Sequence, residues 1–73
     1  MQHITYARAV KEAETFLGDH GIADAPIDAW LLFSYVTGIS RAMFLAERMR
    51  QMPEVQYQRY QELLKKRASH IPL

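Results

Sequence analysis

The side chains that could take part in chemistry are few and far apart along this chain. The three histidines, His3, His20 and His70, have no partner three or four residues away, the spacing at which two helical side chains share a metal ion. The absence of cysteine excludes disulfides and thiolate metal sites. The hydroxyls of Ser34 and Ser40 have no base near them in the sequence, so neither forms the start of a nucleophilic site.

The carboxylates do not form a catalytic pair either. Glu12 and Glu14 are two residues apart and therefore point to different sides of a helix. Asp24 and Asp28 fit the start of a helix, where acidic side chains are stabilised by the helix dipole. We therefore expect no catalytic, metal-binding or cofactor-binding residue in this chain.

Two groups of side chains are candidates for binding a partner. Arg59, Lys65, Lys66 and Arg67 form a basic helix end that could contact phosphate or an acidic protein, or simply complement the helix dipole as a solvated surface. Trp30 and Phe33 lie three residues apart on one helix. They are either part of the core or an aromatic anchor for a neighbouring domain or partner.

Composition limits the class of protein. Hydrophobic residues make up 49% of the 73 residues and charged residues 23%, which is typical of one small globular domain. A formal net charge of +1 gives no reason to expect nucleic acid or an anionic membrane as the main partner. The longest apolar run is far too short to span a membrane, and the first residues lack a signal-peptide pattern. We expect a cytoplasmic protein with no membrane partner.

The periodicity is helical along nearly the whole chain. Thr5 is a favourable N-cap for the first helix. Either Gly18 or Gly21 could end that helix. Gly21 is favoured, because Leu17 and Ile22 then occupy the positions whose apolar contact accompanies a Schellman cap.

Three more helices follow, and they are expected to form the core together with the first. The second helix lies between Asp24 and Gly38. The third follows Ser40 and ends between residues 46 and 51. The fourth begins with Pro53 at its first helical position and ends at Ala68. The second is apolar almost all round and is expected to be central. The predicted core contains Val10, Leu17, Leu31, Leu32, Val36, Leu45, Tyr60 and Leu64. The fold predicted is all-α, a small orthogonal bundle of four to five helices, the fifth being a turn near residues 47–52.

The end of the chain has the character of a linker. Pro72 biases Ile71 toward an extended conformation, so the chain turns away from the last helix before it stops at Leu73. We expect residues 1–68 to form the helical domain and residues 69–73 to begin a linker to a further domain.

The order of several short motifs resembles the N-terminal domain of the HemK/PrmC family of release-factor glutamine methyltransferases. These motifs are Gly21-Ile22, Asp28-Ala29-Trp30-Leu31-Leu32, Val36-Thr37-Gly38, Arg41 with Leu45, and the ending Leu63-Leu64-Lys65-Lys66-Arg67 with Ile71-Pro72-Leu73. The resemblance covers about residues 8–73. It departs from the family at Trp30, where an acidic or polar residue is more usual, and at Ser69-His70, which replaces the more usual Gly-Glu.

This resemblance implies a non-catalytic helical domain that helps to bind a peptide chain release factor. Family members join it through a linker to a Rossmann-like methyltransferase domain, which binds S-adenosylmethionine and methylates the N5 atom of the glutamine in a Gly-Gly-Gln loop. An Asn-Pro-Pro-Tyr motif of that domain holds the glutamine. The present chain contains no asparagine, so we expect the cofactor and the chemistry to belong to the other domain.

Partner-binding residues are predicted from this implied role. Aromatic and arginine side chains are the commonest interface hot spots, which selects Trp30, Phe33 and Arg41. Lys65, Lys66 and Arg67 lie beside the predicted linker, where they would position the catalytic domain or attract an acidic partner.

Two other functions remain open from the sequence. A helix-turn-helix module would use residues 40–51 as its recognition helix, with Arg41, Arg48 and Arg50; the near-neutral charge and the apolar residues of this segment argue against it. A free-standing adaptor or dimerisation domain would instead use Trp30 and Phe33.

Overall fold

The computed structural model describes residues 4–69, which form a bundle of four helices. They are α1 (Tyr6–Asp19), α2 (Ala25–Thr37), α3 (Arg41–Glu47) and α4 (Glu54–Ala68). α1, α2 and α4 pack against one another, and α3 packs against α1. α3 is turned by 86° from α2. The predicted all-α fold is confirmed. His3, His70 and most of the predicted linker lie outside the described residues.

Both ends of α1 have local causes. The Thr5 hydroxyl oxygen accepts a hydrogen bond from the Arg8 N–H at 3.1 Å, as expected of an N-cap. At the other end Gly21 has a φ of +79°, a left-handed conformation that glycine adopts without strain. The Gly21 and Ile22 amides donate to the Gly18 and Leu17 carbonyls, both at 3.0 Å. This pair of bonds is the predicted Schellman cap.

The loop between α3 and α4 satisfies the start of α1 in a way that the sequence did not indicate. The Tyr6 N–H donates to the Arg50 carbonyl at 3.0 Å, and the Ala7 N–H donates to the Arg48 carbonyl at 2.9 Å. These are amides that lack a partner within their own helix. The Met52 N–H also donates to the Ile4 carbonyl, at 2.8 Å. The predicted turn near residues 47–52 is thus a segment that pairs with the N-terminus.

The later helices begin close to the predicted positions. Ser40 caps α3 by accepting a hydrogen bond from the Met43 N–H at 3.1 Å. Asp24 occupies the N-cap position of α2, although its side chain makes no capping bond. Pro53 precedes α4 as its N-cap, one position before the predicted one. α3 ends at Glu47, within the predicted range.

Most of the predicted core is buried. Val10, Leu17, Leu32, Tyr60 and Leu64 belong to the core, and Val36 is half-buried against it. The core also contains Ile4 and Met52, which the helical pattern does not identify because both lie outside the helices.

Two predicted core residues are on the surface instead. Leu31 is 58% exposed and Leu45 is 57% exposed. α2 buries the stripe of Ala25, Ala29, Leu32 and Phe33, and Leu31 lies outside that stripe because each residue turns the helix by about 100°. In α3 the buried residue is Phe44, so its neighbour Leu45 points away from the core.

Candidate protein-interaction surface

The outer side of α2 carries an apolar strip that no other described helix covers. Ile27, Leu31 and Tyr35 are spaced four residues apart, which places them on one side of the helix. Their exposed fractions are 59%, 58% and 73%. We call these three residues the α2 ridge. A run of exposed apolar side chains of this kind is typical of an interaction surface.

Trp30 and Phe44 hold an arginine beside this ridge. The guanidinium carbon of Arg41 lies 4.8 Å from the Trp30 ring centroid and 5.5 Å from that of Phe44. The two rings pack edge-to-face at 5.3 Å, and Trp30 also packs at 5.5 Å against Phe33. Stacking on aromatic rings attracts the cation and limits its motion. Arg41 is an exposed residue, and within residues 4–69 no carboxylate forms an ion pair with it.

A groove of about 310 Å³ runs next to the ridge and to Arg41. Glu14 and Arg41 are its two charged lining residues, and apolar side chains supply most of the rest. The complete lining is Val10, Glu14, Pro26, Ile27, Trp30, Leu31 and Arg41. An apolar groove with a few charged groups at defined positions is a common form of binding site.

Phe33 does not belong to this exposed surface. Its side chain is fully buried and contacts the rings of Tyr6, Trp30, Phe44 and Tyr60. The prediction that Phe33 is an exposed anchor is therefore wrong. Trp30 is half-buried against the core and also lines the groove, and its role as an anchor for a partner stays a prediction.

The basic end of α4 divides into two parts. Lys65 and Lys66 are exposed at the last turn, where they complement the helix dipole. Arg67 is only 31% exposed at its side chain, and its Nε donates to Asp28 Oδ2 at 2.9 Å. Arg67 thus joins the end of α4 to the start of α2, so its charge is paired within the domain, and its role toward a partner stays a prediction.

Removing the Asp28–Arg67 ion pair is expected to destabilise the fold modestly. A double-mutant cycle with Asp28→Asn and Arg67→Met should give a coupling free energy of about 1 kcal/mol, at the upper end for ion pairs near a surface, because both groups are partly buried. The cycle is measured by urea unfolding. The exposed pair Arg59–Glu62, 3.6 Å apart, is the control and should couple less. Equal coupling in the two pairs would contradict a special role for Arg67.

The described histidine and serine side chains are used in local hydrogen bonds. His20 Nδ1 lies 2.8 Å from the Phe16 carbonyl, and its ring packs against the Phe16 ring. Ser40 caps α3. Over residues 4–69, no group of three or more His, Asp or Glu side chains is arranged to hold a metal ion.

Tyr60 is a structural residue. Its hydroxyl donates to the Ala29 carbonyl at 2.7 Å inside the core. Burial, and to a smaller degree the negative charge of Glu14, raises the pKa of this hydroxyl. A phenol that is held neutral and bonded to a backbone carbonyl joins α4 to α2 and takes no part in acid–base chemistry.

A second depression, of about 820 Å³, lies along α1 and is less suitable for a partner. Its lining includes Arg8 and Glu12, whose charges already pair with each other at 3.2 Å. The groove beside the α2 ridge instead carries Arg41, a cation held by stacking on the rings of Trp30 and Phe44. We therefore take the ridge, the groove and Arg41 as the candidate site.

The structure does not supply the helix that a nucleic-acid module would need. α3 has seven residues and ends at Glu47, so Arg48 and Arg50 lie beyond it. Arg50 donates to Glu47 Oε2 at 2.8 Å, and Arg41 is stacked on Trp30. The three arginines of the predicted recognition helix therefore do not form one groove-reading face.

No single helix of residues 4–69 has the length and apolar composition to cross a bilayer. α2 and α3 taken together meet both criteria, but they are bent by 86° at their junction.

Sequence reasoning selected Trp30 and Arg41 but not the neighbours that complete the site. Ile27, Leu31 and Glu14 also line the groove, whereas the sequence predicts Leu31 to lie in the core. The sequence does indicate that some apolar side chains of α2 are exposed, because α2 is apolar on all sides and two packed neighbours cannot cover the whole circumference of a helix.

The family of this chain can be identified by comparison with known proteins. Residues 8–73 match the family model described as the PrmC N-terminal domain. Neither the curated proteins nor the solved structures contain a match. The family match covers nearly the whole chain and confirms the resemblance seen in the order of its short motifs. The chain therefore belongs to the PrmC N-terminal domain family.

Proposed function

We propose that this chain is the substrate-recognition domain of a PrmC-type methyltransferase. In that enzyme a separate domain would bind S-adenosylmethionine and transfer a methyl group to the N5 atom of the glutamine in the Gly-Gly-Gln motif of peptide chain release factors. The observation that carries the proposal is the family match over residues 8–73. It is supported by a surface suited to binding a protein and by the scattered positions of the reactive side chains.

The residues of this chain do not fit a site for the methyl donor. Nucleotide-like cofactors are usually held by a glycine-rich turn between a strand and a helix. Within the described residues, Gly21 and Gly38 instead end helices, at φ values of +79° and +70°, and Gly18 lies inside α1. We therefore assign the cofactor and the transfer chemistry to the other domain and assign binding energy to this one.

Deletion of this domain from the parent enzyme tests the proposal. On an intact release factor, kcat/KM should fall by about tenfold or more, since the lost contacts are worth more than 1.4 kcal/mol. On a short Gly-Gly-Gln peptide, which cannot reach this domain, kcat/KM should stay within about twofold. Calorimetric binding of S-adenosylmethionine to the shortened enzyme is the control for its fold.

Equal losses on the two substrates would contradict a recognition role. They would mean that the domain supports the structure of its neighbour. A second candidate function, a self-associating adaptor, is favoured by the exposed α2 ridge. It predicts a concentration-dependent dimer in sedimentation, which the recognition role does not require.

A further inference from the structure

We infer that the α2 ridge, the adjoining groove and Arg41 bind one amphipathic helix of the protein substrate. This helix would place an apolar side chain in the groove and an aspartate or glutamate on Arg41. The inference deepens the proposed function and rests on it, because it specifies which face makes the contact and what chemistry the partner must present.

The shape of the surface favours a helical segment. The ridge runs from Ile27 to Tyr35, and the eight steps between these two residues correspond to about 12 Å along the axis, or about two helical turns. Its side chains recur every four residues and form an i, i+4 row, the kind of row that fits between the side chains of a second helix. The groove beside the row gives a side chain of that helix a place to enter. This is the arrangement in which an amphipathic helix lays its apolar side into a groove.

The two charged residues of the groove determine which charged side chains the partner helix must carry next to its apolar side. Arg41 is held against Trp30 at 4.8 Å and has no carboxylate partner among the described residues. Stacking restricts the motion of the guanidinium group, and a planar guanidinium can donate two parallel hydrogen bonds to one carboxylate. Glu14, the other charged lining residue, repels a second carboxylate and favours a lysine or arginine near itself. One acid toward Arg41 and one base toward Glu14 would fix the direction of the helix.

The size of the surface argues for such a segment over a second copy of this chain. A stable dimer usually uses about 20–30 residues on each side. The ridge and the groove lining together comprise the seven groove residues and Tyr35. So small a contact suits one helix of a partner that is also held elsewhere, as the proposed function requires at the methyltransferase domain.

Binding is tested with this chain and an intact release factor as the probe. Trp30 is the sole tryptophan, so incorporation of fluorotryptophan places one fluorine nucleus at the site. Its fluorine NMR signal should shift on titration with the release factor and report the affinity. Because an ion pair contributes, raising the salt concentration should weaken binding.

Two variants and two matched controls locate the contact. Leu31→Gln and Arg41→Glu should each weaken binding by about tenfold or more, as expected of hot-spot residues. Val55→Gln makes the same kind of change at an apolar residue that is 78% exposed on α4. Arg59→Glu repeats the charge reversal on α4, which does not pack against α3. Both controls should stay within about twofold of the original affinity.

Further measurements separate a lost contact from a lost fold. All four residues changed are exposed, and unfolding followed by circular dichroism should show native helices in each variant. Arg41→Lys keeps the charge but loses the planar fork, so its affinity should fall between those of the original chain and Arg41→Glu. The salt dependence of binding should be smaller for Arg41→Glu than for the original chain.

The outcomes distinguish this inference from the proposed function. If the chain binds the release factor but Leu31→Gln and Arg41→Glu weaken binding no more than their controls, this inference fails and the proposed function stands. If the chain does not bind at all, both fail. A dimer in sedimentation that is lost in Leu31→Gln would mean that a second copy covers the ridge, which would overturn the inference.

Discussion

Replacing Phe33 with alanine is expected to lower the free energy of unfolding by about 3–5 kcal/mol. The side chain has no exposed surface and contacts four aromatic rings, at centroid distances of 5.4 to 5.8 Å. These rings come from α1, α2, α3 and α4, so the cavity would open where all four helices meet. Domains of this size have a total stability of only about 4–11 kcal/mol. The substitution therefore removes a large fraction of it.

Urea unfolding followed by circular dichroism measures this effect. Tyr35→Ala is the matched control, because it truncates an aromatic side chain on the same helix that is 73% exposed. Its effect should stay within about 0.5 kcal/mol. If Phe33→Ala does not fold, Phe33→Leu should fold with a loss below about 1.5 kcal/mol. Similar losses in Phe33→Ala and Tyr35→Ala would mean that Phe33 is not at the centre of the bundle.

Alanine at Leu32 is expected to lower the free energy of unfolding by about 2–5 kcal/mol. Leu32 is 5% exposed and lies on the stripe that α2 turns toward α1 and α4. The neighbouring substitution Leu31→Ala removes the same atoms from a side chain that is 58% exposed. Its effect should stay within about 0.5 kcal/mol. The pair compares identical chemistry at adjacent positions, so a difference in stability reports burial alone.

The same pair of variants distinguishes the burial seen in the structure from the burial predicted by the sequence. From the sequence, Leu31 and Leu32 both belong to the core, and both alanine variants would then be strongly destabilised. Guanidinium unfolding of the two variants, with the slope of each transition checked against the original chain, decides between these expectations. A loss above about 2 kcal/mol for Leu31→Ala would show that its side chain is buried in solution, and the α2 ridge would then not be a free surface.

The ends of the helices could be predicted because their causes are local. Thr5 and Ser40 cap α1 and α3 with their own hydroxyl groups, three residues from the amides that they accept. Gly21 ends α1 because glycine adopts a positive φ without strain. The order of short motifs likewise identified the family, since each motif is a property of adjacent residues. For these features the interacting groups lie within a few positions along the chain.

The sequence by itself thus determined four helices, an all-α fold and membership of a family. It could not determine which side of α2 is buried, because α2 is apolar almost all round and its periodicity marks no inner side. The positions of α1, α3 and α4 decide that Phe33 is central and Leu31 exposed. Tertiary structure also brings Arg67 to Asp28, 39 residues away. Arg41 stacks on Trp30 and forms no ion pair with a carboxylate of the described residues, which is a consequence of packing and not of spacing.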